Sequence, residues 1–437
     1  MLADIADVIS SVLVPMILLL GIFFIIYLKG FFIVRPKKCF KLTFAEGGKS
    51  LREISVSLAG TLGVGNIVGI GVAISIGGAG AVFWIWLSAI IAMVLKYCEI
   101  ILALRYRKKG EKEYIGGPMY YMRDGIGGKI GKTIAVAFAV LGCVSSFTLG
   151  NIVQTGSLAS IGETVGVPKI AVGIIVGIAT AAVVFFGFKG VSKISEIIVP
   201  IMSVAYVVVS VRAIIMCRAN LPAVFSDIFT EAFRFESAAG GILGFFISPA
   251  VRAGMQKGVV AHEAGCGTAP VAHAQAEPKV NATQGLLGML EVIISTLVMC
   301  TLTALVILSS GVPIGEGEGT VFGAKLVENA LRVTCGDAAK YILNFIIAVF
   351  VFSTIICWSY YGKMYLSYFC KSKIAPNVFL FIYCGVTVIG ALMDEGDIWR
   401  ITDISVALMT IINLAVVFCL RKIIKRETDE TFFGRLF

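Results

Sequence analysis

Two short stretches carry residue types and spacings suited to gripping a small zwitterion and an ion. Gly60-Thr61-Leu62-Gly63-Val64-Gly65-Asn66 sets three glycines within six residues of an apolar run. Glu263-Ala264-Gly265-Cys266-Gly267-Thr268-Ala269-Pro270 sets two glycines and a proline in another. Glycine weakens a helix by about 1 kcal/mol relative to alanine, and proline removes one of its hydrogen bonds. Backbone that unwinds inside lipid strands polar groups at high cost, so it survives only against protein, water or ligand. Amides exposed at the N-terminus of a half-helix suit a carboxylate, and freed carbonyls suit a cation. The two stretches share a pattern, Gly63-Val64-Gly65-Asn66 against Gly265-Cys266-Gly267-Thr268. Asn66 strengthens the first case, because a side-chain amide in an apolar helix is costly unless used. The competing reading is packing: glycines let membrane helices approach closely, and Gly69, Gly71, Gly77, Gly78 and Gly80 fit that role.

Charged residues near these stretches are the next candidates. Lys96 and Glu99 lie one helical turn apart in an apolar run, which reads either as a gate on a pathway or as a self-paired structural couple. Arg252 and Lys257 precede the second stretch and read as an outer gate, against snorkelling of Arg252 toward headgroups. Glu263, at the head of that stretch, joins the candidate gate. His262-Glu263 begins like the zinc-protease pattern, but its fifth position is Cys266, and His273 follows only beyond Gly267 and Pro270. Two histidines on one helical face are therefore missing. The 11 cysteines show no CxxC or zinc-finger spacing and read as small apolar residues. Gly63-x-Gly65-x-x-Val68 fails the dinucleotide fingerprint at its third glycine. With no Ser/His/Asp spacing and no phosphate loop bearing a lysine, an enzyme is not expected, nor an organic cofactor.

Helices that cross a bilayer must hold these residues. Of 437 residues, 58% are hydrophobic and 15% charged, and the mean hydropathy is +0.94. A soluble domain is nearer one quarter charged, so this chain has too little polar surface to cover a soluble core of its size. Soluble enzyme, nucleic-acid binder and secreted disulfide module are poor fits. About 20 apolar residues cross the hydrocarbon. Eleven such segments are expected, near 9–34, 52–78, 80–104, 133–158, 168–187, 194–216, 242–276, 281–309, 340–362, 375–393 and 401–420. The first is no cleavable signal, lacking a basic start. The net charge of +10 comes from 37 Lys and Arg against 27 Asp and Glu. With the N-terminus outside, the outer connections hold only Lys169, Arg212, Arg218, Arg234, Lys325, Arg332, Lys340 and Arg400, and most other basic residues fall inside. Basic residues favour the cytoplasmic side, so the bias predicts an N-out, C-in protein of the plasma (inner) membrane. Without the first span, the remaining ten split into five plus five, and each half opens with a broken helix. Matching interruptions in two halves point to a transport site at the bilayer midplane.

At these residues the chain resembles the alanine/glycine:cation symporters. The resemblance rests on Thr61-Leu62-Gly63-Val64-Gly65-Asn66-Ile67, on Gly77 to Trp86, on Gly116-Gly117-Pro118-Met119-Tyr120-Tyr121 and on Gly150-Asn151-Ile152-Val153-Gln154. Glu263-Ala264-Gly265, Ala269-Pro270-Val271-Ala272-His273-Ala274 and Trp358-Ser359-Tyr360-Tyr361-Gly362 extend it, in family order from about residue 50 to 415. The resemblance implies an all-α polytopic fold like the leucine transporter, two inverted five-helix repeats preceded by one extra helix. The extra helix and its basic loop would fill 1–50, the repeats 51–216 and 217–421, and a short cytoplasmic tail 422–437. It implies inward symport of a small neutral amino acid, usually with sodium. It also implies site roles. The amides of Gly63, Val64 and Gly65, beside Thr61 and Asn66, would take the substrate carboxylate. Gln154 would approach its polar end, and Trp358 would wall the pocket. Ser353 and Thr354 hydroxyls with Ala59 and Leu62 carbonyls would hold sodium, a hard ion suited to neutral oxygens.

The departures fall at the second stretch. Where the family commonly shows Phe-Ser-Asn, this chain has Val260, Ala261 and His262. The family's Leu and Ser after Gly265 become Cys266 and Thr268. With Gly267, these residues would shape side-chain selectivity. Valine for phenylalanine should enlarge the pocket, and the hydroxyl lost at Ala261 argues against a second sodium site. His262 titrates near neutral pH when unperturbed, which keeps proton coupling open as an alternative. An ion channel is the rival of another class, but paired breaks in a pseudo-repeat favour a carrier over a continuous pore filter.

Overall fold

The computed structural model describes residues 2–44, 51–110, 114–234, 248–314 and 322–434. These are almost wholly helical; the described exception is a two-stranded antiparallel ribbon pairing Lys108 with Ile115 and Lys109 with Tyr114. Helices cover most of each of the eleven apolar segments, with gaps at 28–30, 62–67 and 263–268, although 242–247 of the seventh fall outside the described residues. Among the described residues, seven helices are long and apolar enough to cross a membrane, and one bent pair makes an eighth. Ser11–Tyr27 and Lys169–Val184 are shorter apolar helices. Apolar side chains such as Leu19, Ile178, Ile201 and Phe381 face outward, while Asn66, Lys96, Glu99 and Gln154 are buried. That inversion of the soluble pattern suits a hydrocarbon solvent.

Several boundaries differ from the sequence expectation. The first helix, Leu2–Tyr27, stops short of residue 34 because Lys29 and Gly30 take left-handed conformations, with φ of 57° and 53°. Pro270 lies in the first turn of the short helix Ala269–His273. There its missing N–H leaves no hydrogen bond unmade, so it starts a helix rather than breaking one.

Both interruptions are present. Leu51–Thr61 ends, Val64–Asn66 makes one tight turn, and Val68–Gly77 resumes at 59° to the first piece. Pro249–His262 ends at Glu263, whose φ is 51°, and Gly265 and Gly267 follow at 84° and 79°. Side chains with a Cβ rarely adopt such angles, so the two glycines permit this turn. Close packing holds the broken helices in place. Gly254 and Gly258 bring Pro249–His262 against Ala81 and Ser88 of Gly80–Tyr106, leaving no room for a Cβ. Gly173 and Gly177 do the same for Lys169–Val184 against Ala375–Leu392, where a Cβ would sit 2.7 Å from Val388 Cα and from Thr387 Oγ1. Both are small-xxx-small contacts, the usual device for close helix approach in lipid.

Candidate functional site

The first break is lined by neutral polar groups. Gly63 is extended, with φ −121° and ψ −160°, and its amide donates to Asn66 Oδ1 at 3.2 Å. The Val64 amide donates to Gln154 Oε1 at 3.1 Å. Gln154 follows a π-helical turn at Thr148–Ile152, and its Nε2 donates to Leu149 O at 3.0 Å. Thr354 Oγ1 lies 3.0 Å from Ala59 O and 3.3 Å from Leu62 O. A hydroxyl has one proton, so it satisfies at most one of these carbonyls at a time. Ala59, Leu62 and Thr354 thus form one oxygen cluster. Ser353 does not join it: its hydroxyl donates to Phe350 O at 2.9 Å and lies 3.5 Å from Met202 Sδ. Thr61 donates to Ser57 O at 2.9 Å within its own helix.

Asn66 stitches the break to its surroundings. Its Nδ2 donates to Ala261 O at 3.0 Å and Ser295 O at 2.9 Å, and its carbonyl accepts from Thr303 at 2.9 Å. Ala261 belongs to the second broken helix, so this amide ties the two interruptions together. Val260 packs on Gly65, where a Cβ would lie 3.2 Å from Val260 Cγ1.

The second break is lined by ionisable groups. Glu263 accepts from Thr268 Oγ1 at 2.6 Å and from Trp358 Nε1 at 3.3 Å. Trp358 also packs on Gly150, where an added Cβ would collide with Trp358 Cβ, so it links the second break to the π turn. Glu99 Oε2 accepts from the Gly267 amide at 3.1 Å and from Asn413 Nδ2 at 2.9 Å. Asn413 also donates to Gly265 O at 2.8 Å and accepts from Tyr121, while Tyr365 donates to Gly267 O at 3.1 Å. Cys266 Sγ meets Thr410 Oγ1 at 3.2 Å. His262 Nδ1 accepts the Ala264 amide at 3.0 Å, which leaves the ring hydrogen on Nε2. His262 is packed, and among the described residues no cluster of three or more His, Cys, Asp or Glu could hold a metal.

Lys96 and Glu99 are not an ion pair, which overturns the self-paired couple, one of the two readings of these residues. Lys96 Nζ reaches Glu291 at 3.1 Å and donates to His262 O at 3.0 Å. Glu291 is a hub between the first piece of the first broken helix and the last piece of the second. It accepts from Ser57 at 2.8 Å and contacts His273 Nε2 at 2.7 Å, and His273 Nδ1 meets Gln284 at 2.7 Å. On the other side of the breaks, Lys257 binds Asp403 at 2.6 and 2.8 Å and lies over the Trp399 ring at 4.4 Å. It is an ion-paired residue rather than a snorkelling one; Arg252 is half-buried one and a half turns earlier. The sequence reading missed Glu291, Asp403, Asn413 and Tyr121. Glu291 and Asp403 carry a usable signal, since each is a carboxylate within an apolar span. Asn413 and Tyr121 carry none, because only the fold brings them to Glu99.

A cavity of about 630 Å³ is lined among others by Gly156, Glu163, Lys169, Phe322, Asp394 and Arg400, the last one helical turn before Asp403. Gly156 is half a turn from Gln154 on the same helix.

A sodium:alanine symporter family model matches residues 1–433. The sodium/alanine symporter AgcS of Methanococcus maripaludis is 33% identical over 388 residues, 88% of this chain and 84% of that protein. The probable sodium/glutamine symporter GlnT of Bacillus subtilis is 33% identical over 424 residues, 95% and 86% of the two chains. Among solved structures, MhsT in complex with L-phenylalanine superposes with a TM-score of 0.57 at 13% identity, over 88% of this chain and 98% of that one. At that identity the likeness speaks for the fold: a leucine-transporter architecture. A full-length family match, relatives of one-third identity and two helices unwound at matching places agree: the chain belongs to the sodium:alanine symporter family, and it is a multi-pass membrane transporter rather than an enzyme.

Proposed function

We propose that this protein is a sodium-coupled symporter of small neutral amino acids, carrying them inward by alternating access. The observation that carries the reading is the crowding of two ligand sets onto one interruption. The Val64 amide, held by Gln154, lies on the same break as the Ala59, Leu62 and Thr354 oxygens. A substrate carboxylate displacing Gln154 Oε1 would take the amides of Val64, Gly63 and Gly65. Sodium would take the two carbonyls and the Thr354 hydroxyl, with Ser353 joining only after a rotamer change. Ion and substrate then share one piece of backbone, which is how the binding of one can favour the other. Trp358, Cys266, Gly267 and Val260 would bound the side-chain end. Valine at 260, where the family commonly has phenylalanine, would make room for a substrate larger than alanine.

The cavity lined by Arg400 would be the outer approach, and the Lys257–Asp403 ion pair its gate. Glu291, with Lys96, Ser57 and His273, would close the inner side by tying down the inner half of each broken helix. The orientation is N-terminus out, in keeping with the basic residues of the connections. The test is thermal stabilisation of the purified protein by a panel of unlabelled amino acids, with and without sodium. L-alanine or L-glutamine should stabilise, and more strongly with sodium; stabilisation indifferent to sodium would remove it as the coupling ion. Counterflow of labelled substrate in proteoliposomes separates this carrier from a channel, which cannot exchange.

A further inference from the structure

The second break holds more buried carboxylate than cation. Glu99, Glu263 and Glu291 are all buried, with Lys96 the basic side chain beside them. Lys96 is committed to Glu291 and to the His262 carbonyl. His273 meets Gln284 through Nδ1 and Glu291 through Nε2, so it too is committed to Glu291. Among the described residues, Glu263 and Glu99 therefore have no ion-pair partner of their own and share the field of a Lys96 bound to Glu291. Glu263 has a donor on each oxygen, Thr268 and Trp358. Glu99 does not: both its donors, Gly267 N and Asn413 Nδ2, fall on Oε2, and Oε1 has no hydrogen-bond partner. An ionised carboxylate buried in that state costs far more than a neutral acid.

The surroundings favour a proton over a metal ion. Sodium needs several oxygen lone pairs, as the Thr354 cluster offers. Around Glu99 the nearby carbonyls of Gly265 and Gly267 already accept from Asn413 and Tyr365. The titratable groups facing Glu99 are Lys96 and Cys98 on its own helix, Cys266 at the break, Tyr121 beneath and Tyr365 on Ala339–Phe369. His262 is the weaker proton carrier. Its Nδ1 is already an acceptor for Ala264, and an added proton would face the Lys96 ammonium bound to its own carbonyl.

We propose that Glu99 is a proton-carrying carboxyl, loaded and unloaded as the second break changes its exposure. Its role in transport rests on the carrier reading above, and it adds a proton to the sodium bound at the first break. Charge-assisted hydrogen bonds are roughly twice as strong as neutral ones. Protonation of Glu99 therefore weakens its hold on Gly267 and Asn413, and through Asn413 on Gly265. The proton loosens the staple that fixes the unwound segment, and its departure tightens it.

Infrared difference spectra of the purified full-length protein, alkaline against neutral and without substrate, read the carboxyl directly. A protonated-carboxyl band that shifts in heavy water, is missing in Glu99→Gln and persists in Glu263→Gln supports the assignment. No such band, or one that survives Glu99→Gln, overturns it. If Glu99→Gln does not fold, Asn413→Leu removes a donor that favours the charged form and should raise the band's midpoint by about one pH unit. An unmoved midpoint also overturns it. In proteoliposomes holding a pH dye, protons moved per labelled L-alanine should fall at least about tenfold in Glu99→Gln, and an unchanged ratio denies the coupling. Wild-type counterflow of L-alanine judges the carrier reading separately. Its absence beside an intact Glu99 band would strike that reading and leave the protonated carboxyl standing.

Discussion

At the first break every polar group against the unwound backbone is neutral: the Gln154 and Asn66 amides, the Thr354 hydroxyl, and the carbonyls of Ala59 and Leu62. At the second, the same kind of backbone lies among Glu99, Glu263, Lys96 and His262. Neutral dipoles can grip a carboxylate or a sodium ion and release it without leaving a bare charge in a low-dielectric interior. Ionisable groups cannot change partners so cheaply, because each unpaired charge is costly there. The first break is therefore suited to exchange of ligands, and the second to holding a structure whose tension depends on charge. Substitutions at the two should fail in different ways.

The largest effect is expected at the charged side. Glu291→Leu leaves Lys96 buried without its carboxylate and strips Ser57 and His273 of theirs. Removing one partner of a buried pair costs about 3–5 kcal/mol. A large fall in the unfolding temperature of the purified protein is the expected outcome. Lys96→Met in the same chain should restore much of it, since the stranded charge is then gone. A Glu291→Leu protein as stable as the wild type would show that the hub carries no charge energy, and the contrast between the breaks would collapse.

Next comes Gly63→Ala. A Cβ there would lie 2.8 Å from both Gln154 Oε1 and Thr354 Oγ1, so it disturbs the proposed carboxylate and sodium contacts together. Uptake of labelled L-alanine should drop about a hundredfold, the equivalent of roughly 2.7 kcal/mol, while the unfolding temperature barely moves. Asn66→Ala offers the contrast within the same break. Its side chain bonds Gly63, Ala261 and Ser295, so its loss should lower stability as well as uptake.

Much of this division was legible in the chain before folding. Gly63, Gly65, Gly265 and Gly267 stand out because polar, flexible residues are costly in an apolar run, and the positions of both interruptions follow from them. What the residues pair with was not legible. Lys96 and Glu99 are neighbours on a helix face, yet Lys96 turns to Glu291 and Glu99 to Gly267 and Asn413. Lys257 meets Asp403 across 146 positions. Such choices depend on helix packing through Gly254 and Gly258, which a periodicity cannot locate. Ser353 shows the same limit at the first break: it adjoins Thr354 in sequence, but a helix turns successive residues about 100° apart, and its hydroxyl faces Met202.

Thr354→Ala sharpens the comparison by assigning ions to breaks. It removes one oxygen of the proposed sodium set and leaves the second break untouched. The sodium concentration for half-maximal uptake should rise about tenfold, or 1.4 kcal/mol, and Thr354→Ser should restore it. The pH profile of uptake should keep its shape, because the proton is assigned to Glu99. A shift in pH dependence with sodium dependence intact would reverse the assignment of ions to breaks.

The smallest effect is expected where the two breaks touch. Val260 is on the second broken helix, and its methyl lies against Gly65 of the first. There the charged side contributes an apolar group to the neutral side. Val260→Phe would put a larger side chain beside Gly65 while leaving the residue types at Gly63, Val64 and Thr354 unchanged. Pocket-size changes of this kind are worth about 1–3 kcal/mol of discrimination. The expected outcome is a shift in competition assays: L-alanine should hold its potency against labelled substrate, and L-glutamine should lose at least about tenfold of its own. Equal losses for both would mean that phenylalanine displaces Gly65 and distorts the carboxylate grip, so that Val260 acts on the backbone of the first break. No loss for either would put the side-chain end of the pocket elsewhere, with Trp358 and Cys266 the next to test, since those two remain on the walls around Glu263 and Thr410.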